Sequence, residues 1–218
     1  MTNEEHEVPL AIDHIVVAGP DLPAAIEYVT TALGVEPAPG GQHVGRGTRN
    51  ALVRLGDGCY LEVIGPDPDQ GAPASPRAFG IDEFAPGQPP ILVGVAVRAA
   101  ASVFDRRVDA LASSGQGINV VPLRRARPDG VMLSWRVAHP EPALVPGLVV
   151  FMIDWMDSPH PSESLVQPTV LQRLRIEHPD PPRAARSCAA VGLACEVAAA
   201  PTPRLVATIA TPSGVVEL

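Results

Sequence analysis

Two residues of this 218-residue chain combine chemically useful side chains with apolar surroundings. His14 falls in Leu10-Ala11-Ile12-Asp13-His14-Ile15-Val16-Val17-Ala18, and Glu62 in Cys59-Tyr60-Leu61-Glu62-Val63-Ile64. Both runs have the β-branched, apolar character of strands. Strand parity places His14 on one face with Ile12 and Val16, and Glu62 on one face with Tyr60 and Ile64. A carboxylate in such a row is costly unless paired, hydrogen-bonded or bound to a cation, so Glu62 is the most informative residue in the chain. Imidazole and carboxylate suit a divalent metal, and either side chain can move a proton. The alternative is structural: the two bond each other or the backbone, or Glu62 faces solvent on a half-exposed strand.

Other candidates are less well defined. His43 sits in a glycine-rich stretch whose Gly45-Arg46-Gly47 lets backbone approach a ligand, or forms an ordinary surface loop. It is no dinucleotide fingerprint, because the third glycine and the following helix are missing. Arg136, beside Trp135, either clamps a carboxylate or oxyanion or joins a surface ion pair. Trp155 reads as core or pocket wall. His139 and His178 precede prolines in turns and carry no separate signal. The chain has no G-x-S-x-G elbow, no H-E-x-x-H, no phosphate-binding loop and no Cys-His nucleophile spacing, which removes hydrolase and kinase readings.

The elements that must position these groups recur along the chain. After the first strand, Gly19-Pro20-Asp21 opens a helix with Leu22, Ile26, Val29 and Leu33 at helical spacing, closed by Gly34. A short strand near His43 follows, then two strands around the turn Gly56-Asp57-Gly58, giving β-α-β-β-β. A weaker copy begins at Ile91, continues through a helix with Phe104, Val108 and Leu111, and ends in strands around Met132–Val137 and Leu148–Ile153. A third starts at Leu174–His178, re-enters a helix through Pro179-Asp180, and ends in the strands Arg204–Ala210 and Gly214–Leu218. The repeated Pro-Asp helix entry points to internal duplication.

Composition narrows the field. With 46% hydrophobic and 18% charged residues the chain has ample core and should be globular. A net charge of −8 argues against a nucleic-acid partner, and the cluster Leu123-Arg124-Arg125-Ala126-Arg127 is too short to reverse that. The acidity mildly favours cationic ligands. The acidic start Met1–Glu7 lacks the order of a signal peptide and no apolar run is long enough to span a bilayer, so a cytoplasmic protein with no membrane partner is expected. Cys59, Cys188 and Cys195 read as small core residues.

Repeated β-α-β-β-β units, together with Ile12-Asp13-His14-Ile15-Val16, the stretch from Gly41 to Asn50 and Tyr60-Leu61-Glu62-Val63-Ile64-Gly65-Pro66-Asp67, resemble a known family. Arg127-Pro128-Asp129-Gly130, Ser134-Trp135-Arg136, and Ile153-Asp154-Trp155 with His160-Pro161 add to the likeness. The family is the glyoxalase-like branch of the vicinal-oxygen-chelate superfamily, which also holds bleomycin-resistance proteins and extradiol dioxygenases. The resemblance implies an α+β fold, a curved, mostly antiparallel sheet forming a half-barrel or barrel around a pocket. It implies one glyoxalase-like domain over residues 8–218, with units at about 8–67 and 89–156 and a partial third at about 168–218.

The resemblance also implies a site. Many members hold a divalent metal on a His or Gln of the first strand and a Glu of the fourth strand in each paired unit, leaving open positions for vicinal substrate oxygens. Here His14 and Glu62 match, but aligned positions hold Gly94 and Phe151-Met152 in the middle unit and Arg173 and Glu217 in the last. A third ligand would have to come from His43 or from His160, whose segment after Trp155 is expected to fold over the pocket mouth. Two cofactor expectations therefore stand: a divalent Zn, Ni, Co, Mn or Fe on His14, Glu62 and His160, or no metal. Glu62 and His14 are the expected catalytic residues, with His43, Asn50, Arg136, Trp155 and His160 binding the substrate. The implied function is a glyoxalase-like lyase or isomerase acting on a small oxygen-rich molecule. The alternatives are a non-catalytic small-molecule binding or sequestering protein of the resistance type and, third, an extradiol-type dioxygenase. A homodimer is the expected assembly.

Overall fold

The run after Leu10 forms strand β1 (Ala11–Ala18), and Pro20-Asp21 turns the chain into helix α1 (Leu22–Leu33). Asp21 Oδ1 accepts from the Ala24 amide at 2.8 Å, while Gly34 closes the helix in the left-handed region at φ 67°. Caps of this kind contribute about 1 kcal/mol. Three strands complete the unit: β2 (Ala38–His43), β3 (Thr48–Arg54) and β4 (Tyr60–Pro66). After a 3-10 segment at Ala78–Glu83, the second unit runs through β5 (Ile91–Arg98), α2 (Ala101–Ser113), β6 (Gly117–Ala126), β7 (Met132–Glu141) and β8 (Val149–Asp154). Strand β6 is absent from the sequence reading, because Pro122, Arg124 and Arg125 disguise its alternation. These features come from a computed structural model that describes residues 8–85, 87–145 and 147–218; the acidic segment Met1–Glu7 lies outside the described residues.

The two units merge into an eight-stranded curled sheet of order β2-β3-β4-β1-β5-β8-β7-β6. They join through antiparallel β1 and β5, and in each the first strand runs parallel to the last. The free edges β2 and β6 come together at Gly41. A Cβ built there would lie 2.4 Å from the Ala126 carbonyl oxygen, and its φ is +154°. Gly41→Ala should therefore cost roughly 2 kcal/mol or more in urea denaturation. Gly45→Ala, with φ +73° but nothing within 4 Å of the added carbon, should cost only about 1 kcal/mol of backbone strain.

The remaining elements are β9 (Val170–His178), α3 (Pro181–Ala190), β10 (Glu196–Ala199), β11 (Arg204–Thr211) and β12 (Gly214–Glu217). They repeat the element order of the first unit but not its pairing. The four-stranded sheet runs β10-β9-β11-β12, with β9 inside and parallel to β10, whereas β1 lies parallel to β4. Leu174, Ile176, Leu205 and Ile209 of this sheet join Ile15, Val17, Val95 and Val97 in one core behind the large sheet, under α1 and α2. The other face of the large sheet is lined by Val16, Leu133, Trp135, Phe151, Ile153 and Trp155. Among the described residues no helix is long and apolar enough to cross a membrane.

Candidate functional site

The hollow of the curled sheet is a cavity of about 630 Å³. Its walls follow strand parity: Thr48 and Asn50 on β3, Tyr60 and Glu62 on β4, Val121, Leu123 and Arg125 on β6, Trp135, Val137 and His139 on β7, and Phe151 and Ile153 on β8. Parity fails on β1. The β1–β5 pairing shifts between Ile12 and His14, a bulge that adds Asp13 to the strand. Ile12 accordingly packs toward the rear core, while His14 lines the cavity, so the two do not share a face as alternation predicts.

The bulge places a fully buried Asp13 behind His14. Its Oδ1 accepts from His14 Nδ1 at 2.6 Å, and its Oδ2 meets Trp155 Nε1 and His160 Nε2, both at 3.0 Å. Burial alone would raise this carboxyl, but the hydrogen bonds and charges of His14 and His160 prevail and hold it far below the usual carboxylate range. An ionised Asp13 keeps the His14 proton on Nδ1 and turns Nε2 toward Glu62. The His14 ring lies flat on Tyr60, with centroids 4.6 Å apart.

Glu62 occupies the middle of the cavity wall, 7% exposed. Asn50 Nδ2 donates to its Oε1 at 2.6 Å and faces His43 Nε2 at 3.3 Å. Burial pushes the His43 imidazole down, opposed by Glu62, so it is neutral and its Nδ1 donates to Thr48 Oγ1 at 3.0 Å. Glu62 Oε2 takes no hydrogen bond among the described residues, and His14 Nε2 lies 3.9 Å from it. Burial, then Asp13 and Glu62, raise the Tyr60 phenol well above its ordinary value, so it stays a neutral donor.

His14, Glu62, His43, Asn50 and Trp155 therefore converge as expected positions, and two others do not. Arg136 sits outward between Trp135 and Val137, pairing with Asp105 at 2.7 Å and Asp154 at 2.8 Å with its guanidinium 4.4 Å from the Phe104 ring. Its place as a substrate clamp is corrected by parity: Trp135 points in, so Arg136 points out. His160 does not fold over the mouth; its two ring nitrogens are engaged by Asp13 and Ser162, and it positions Asp13 instead of facing Glu62. The residues missed are Asp13, Tyr60, Arg125 and His139: alternation marks Tyr60 on β4 and His139 on β7 as inward, Asp13 forms an acidic-histidine pair inside an apolar strand, and Arg125 lies on β6, whose pattern gives no such signal.

The His14 and Glu62 positions test the metal expectation. A twofold relation through Ile15 and Val95 carries His14 to Gly94, and Glu62, opposite Val16, to Phe151, opposite Ala96. A Cβ on Gly94 would lie 3.2 Å from Phe79, so that corner is packed with aromatic carbon. Half of the family's ligand set is hydrocarbon or missing, and among the described residues no group of three or more His, Cys, Asp or Glu is placed to hold a metal ion. The residues present do not fit the four-ligand centre.

His139 closes the far end, stacked on Phe151 at 4.8 Å, its imidazole pushed down by burial to about 4 from an ordinary 6.5. The unfolded chain thus binds a proton that the folded one refuses between these values, so stability should fall as pH drops from 6.5 toward 4. His139→Leu should remove roughly 2–3 kcal/mol of that loss, measured by urea denaturation across the interval.

A model of the family described as "Glyoxalase-like domain" matches residues 12–192. Among curated proteins, none matches the sequence significantly. Among solved structures, a hypothetical protein from Staphylococcus aureus shares the fold at a TM-score of 0.69 and 10% identity, over 94% of this chain and 97% of that one. Methylmalonyl-CoA epimerase from Mycobacterium tuberculosis superposes with a TM-score of 0.48 at 18% identity, over 71% and 94%. A Streptomyces coelicolor methylmalonyl-CoA epimerase variant in complex with 2-nitronate-propionyl-CoA gives 0.48 at 21%, over 69% and 99%.

Proposed function

The chain belongs to the glyoxalase-like domain family of the vicinal-oxygen-chelate superfamily, and from that premise we propose that its cavity is the active site of an isomerase- or lyase-type enzyme. In this reading Glu62 takes a proton from carbon beside a carbonyl in a small oxygen-rich molecule. The observation that carries it is the asymmetry of the Glu62 carboxylate, with Oε1 fixed by Asn50 and Oε2 unbonded in the cavity. A buried, oriented carboxylate with one free oxygen has the geometry of a general base. His14 Nε2 waits 3.9 Å behind it; closing that gap by about 1 Å would let the proton pass to His14 and return on a neighbouring atom. Asp13 holds His14 for this exchange, and the Tyr60 hydroxyl is a neutral donor for the oxyanion that forms. The proton chemistry is assigned to side chains alone, since the donor set does not fit the family's metal. Three free thiols suit the cytoplasm.

The test is uptake of solvent deuterium by carbonyl compounds in a panel of aldehydes, ketones and oxo acids, run with and without a chelator. Uptake unaffected by chelator is the expected result. Uptake abolished by chelator would return the chemistry to a metal. Binding of panel compounds without uptake would favour the non-catalytic binding protein, a reading that the aromatic walls Trp135, Trp155 and Phe151 also support.

A further inference from the structure

Among the described residues the buried carboxylates and guanidiniums are Asp13, Glu62, Asp67, Asp154, Arg107 and Arg125. Asp13 has its histidines, Glu62 has Asn50, Asp67 has Gln70 and Asp154 has Arg136. Arg107 reaches the Ala189 and Ala190 carbonyls. Arg125 is 3% exposed, yet its guanidinium makes no hydrogen bond or ion pair among the described residues. It lies on β6 where the two sheet edges meet, held against Gly41, and it borders both the main cavity and a second one of about 210 Å³. Glu62 is near enough for its charge to support the Arg125 cation, but the two form no ion pair. A buried cation without a counter-ion is stable only when something supplies one.

We infer that Arg125 receives a carboxylate of the substrate, so that the site takes small carboxylic acids with a C–H beside a ketone or aldehyde carbonyl, 2-oxo and 3-oxo acids among them. This rests on the reading of Glu62 as base. With the carboxylate on Arg125, the carbonyl spans the gap to Glu62 and the C–H faces Oε2. A planar guanidinium matches a carboxylate bidentately, whereas a phosphate dianion beside Glu62 would need more cationic donors than one. The inference reverses the preference for cationic ligands that the net charge suggests: the local charge, not the total, sets it.

The test is calorimetric and thermal-shift binding of pyruvate, 2-oxobutyrate, acetoacetate and phenylpyruvate against the uncharged pyruvamide and phenylacetone, at constant ionic strength. At least one acid should bind roughly tenfold or more tightly than its uncharged counterpart. Arg125→Met should melt at or above the wild-type temperature and lose that preference, Arg125→Lys should keep part of it, and Glu62→Gln should keep it whole. No preference for any acid, or a preference that survives Arg125→Met, overturns the assignment. Preference without deuterium uptake by any bound acid supports the anion site and sinks the proton-transfer reading. Equal uptake by acids and uncharged ketones, unchanged in Arg125→Met, sinks the Arg125 assignment and leaves the reading of Glu62 intact.

Discussion

Glu62→Gln should slow deuterium uptake by about a thousandfold or more while leaving the melting temperature near that of the wild type. The two halves of this expectation come from the two oxygens of one side chain. On the Oε1 side an amide oxygen still accepts from Asn50, so the link to β3 and His43 survives. On the Oε2 side the carboxylate has no hydrogen bond to lose, and an amide NH2 can donate to His14 Nε2. Nothing buried is left unpaired, hence the small cost to stability. What disappears is the lone pair that accepts the proton. Glu62→Asp retains a carboxylate but withdraws it by one methylene from the substrate, and should fall between the two. A Glu62→Gln enzyme with wild-type uptake would remove Glu62 from the chemistry, and a large drop in melting temperature would make its role structural.

How far the sequence reveals this site depends on where alternation holds. On β3 and β4 the period of two runs unbroken, and it brings Asn50, Tyr60 and Glu62 to one wall. On β7 the same rule decides between Trp135 and Arg136, since one must face in and the other out; the guanidinium that faces in belongs to β6. That strand is hard to read because Pro122 interrupts it and neither row is uniformly apolar: Ile118, Val120 and Ala126 share the outward side with Arg124, while Asn119 and Arg125 share the inward side with Val121 and Leu123. Its inward row of Asn119, Val121, Leu123 and Arg125 is visible only once β6 is paired with β7. The bulge at Asp13 leaves no mark in composition, because an extra residue in a strand changes the register without changing the residue types. The third unit shows a different limit. Hydrophobic period and helix caps fix the order of strand and helix, and β9 through β12 follow it, but pairing depends on which edges are free. With β1 and β5 already joined at the centre of the large sheet, these strands form a sheet of their own and cover its rear core.

Asp13→Asn should be the most damaging single change that leaves the cavity walls untouched. Three ring N–H groups, from His14, His160 and Trp155, point at the two Asp13 oxygens. An amide offers one acceptor oxygen and sets its NH2 against at least one of those donors, in a site with no water-facing surface. Breaking a buried ionic cluster in this way costs about 3–5 kcal/mol, or roughly 10 °C in melting temperature for a chain of this size. The pH dependence has a definite sign. Because the folded carboxyl lies below its unfolded value of about 3.9, its contribution is complete above that pH and drains away only as acid approaches the folded value. The wild-type advantage over Asp13→Asn should therefore stay level from neutral pH to about 4.5 and shrink below about 4. The loss tied to His139 falls in the interval above 4, so urea titrations at a series of pH values separate the two. Activity should fall by about a hundredfold or more beyond any loss of folded protein, because His14 is no longer held with Nε2 toward Glu62. Were Asp13→Asn to lose stability yet keep its uptake rate per folded molecule, His14 would be a wall of the cavity and the proton would have to leave Glu62 by solvent.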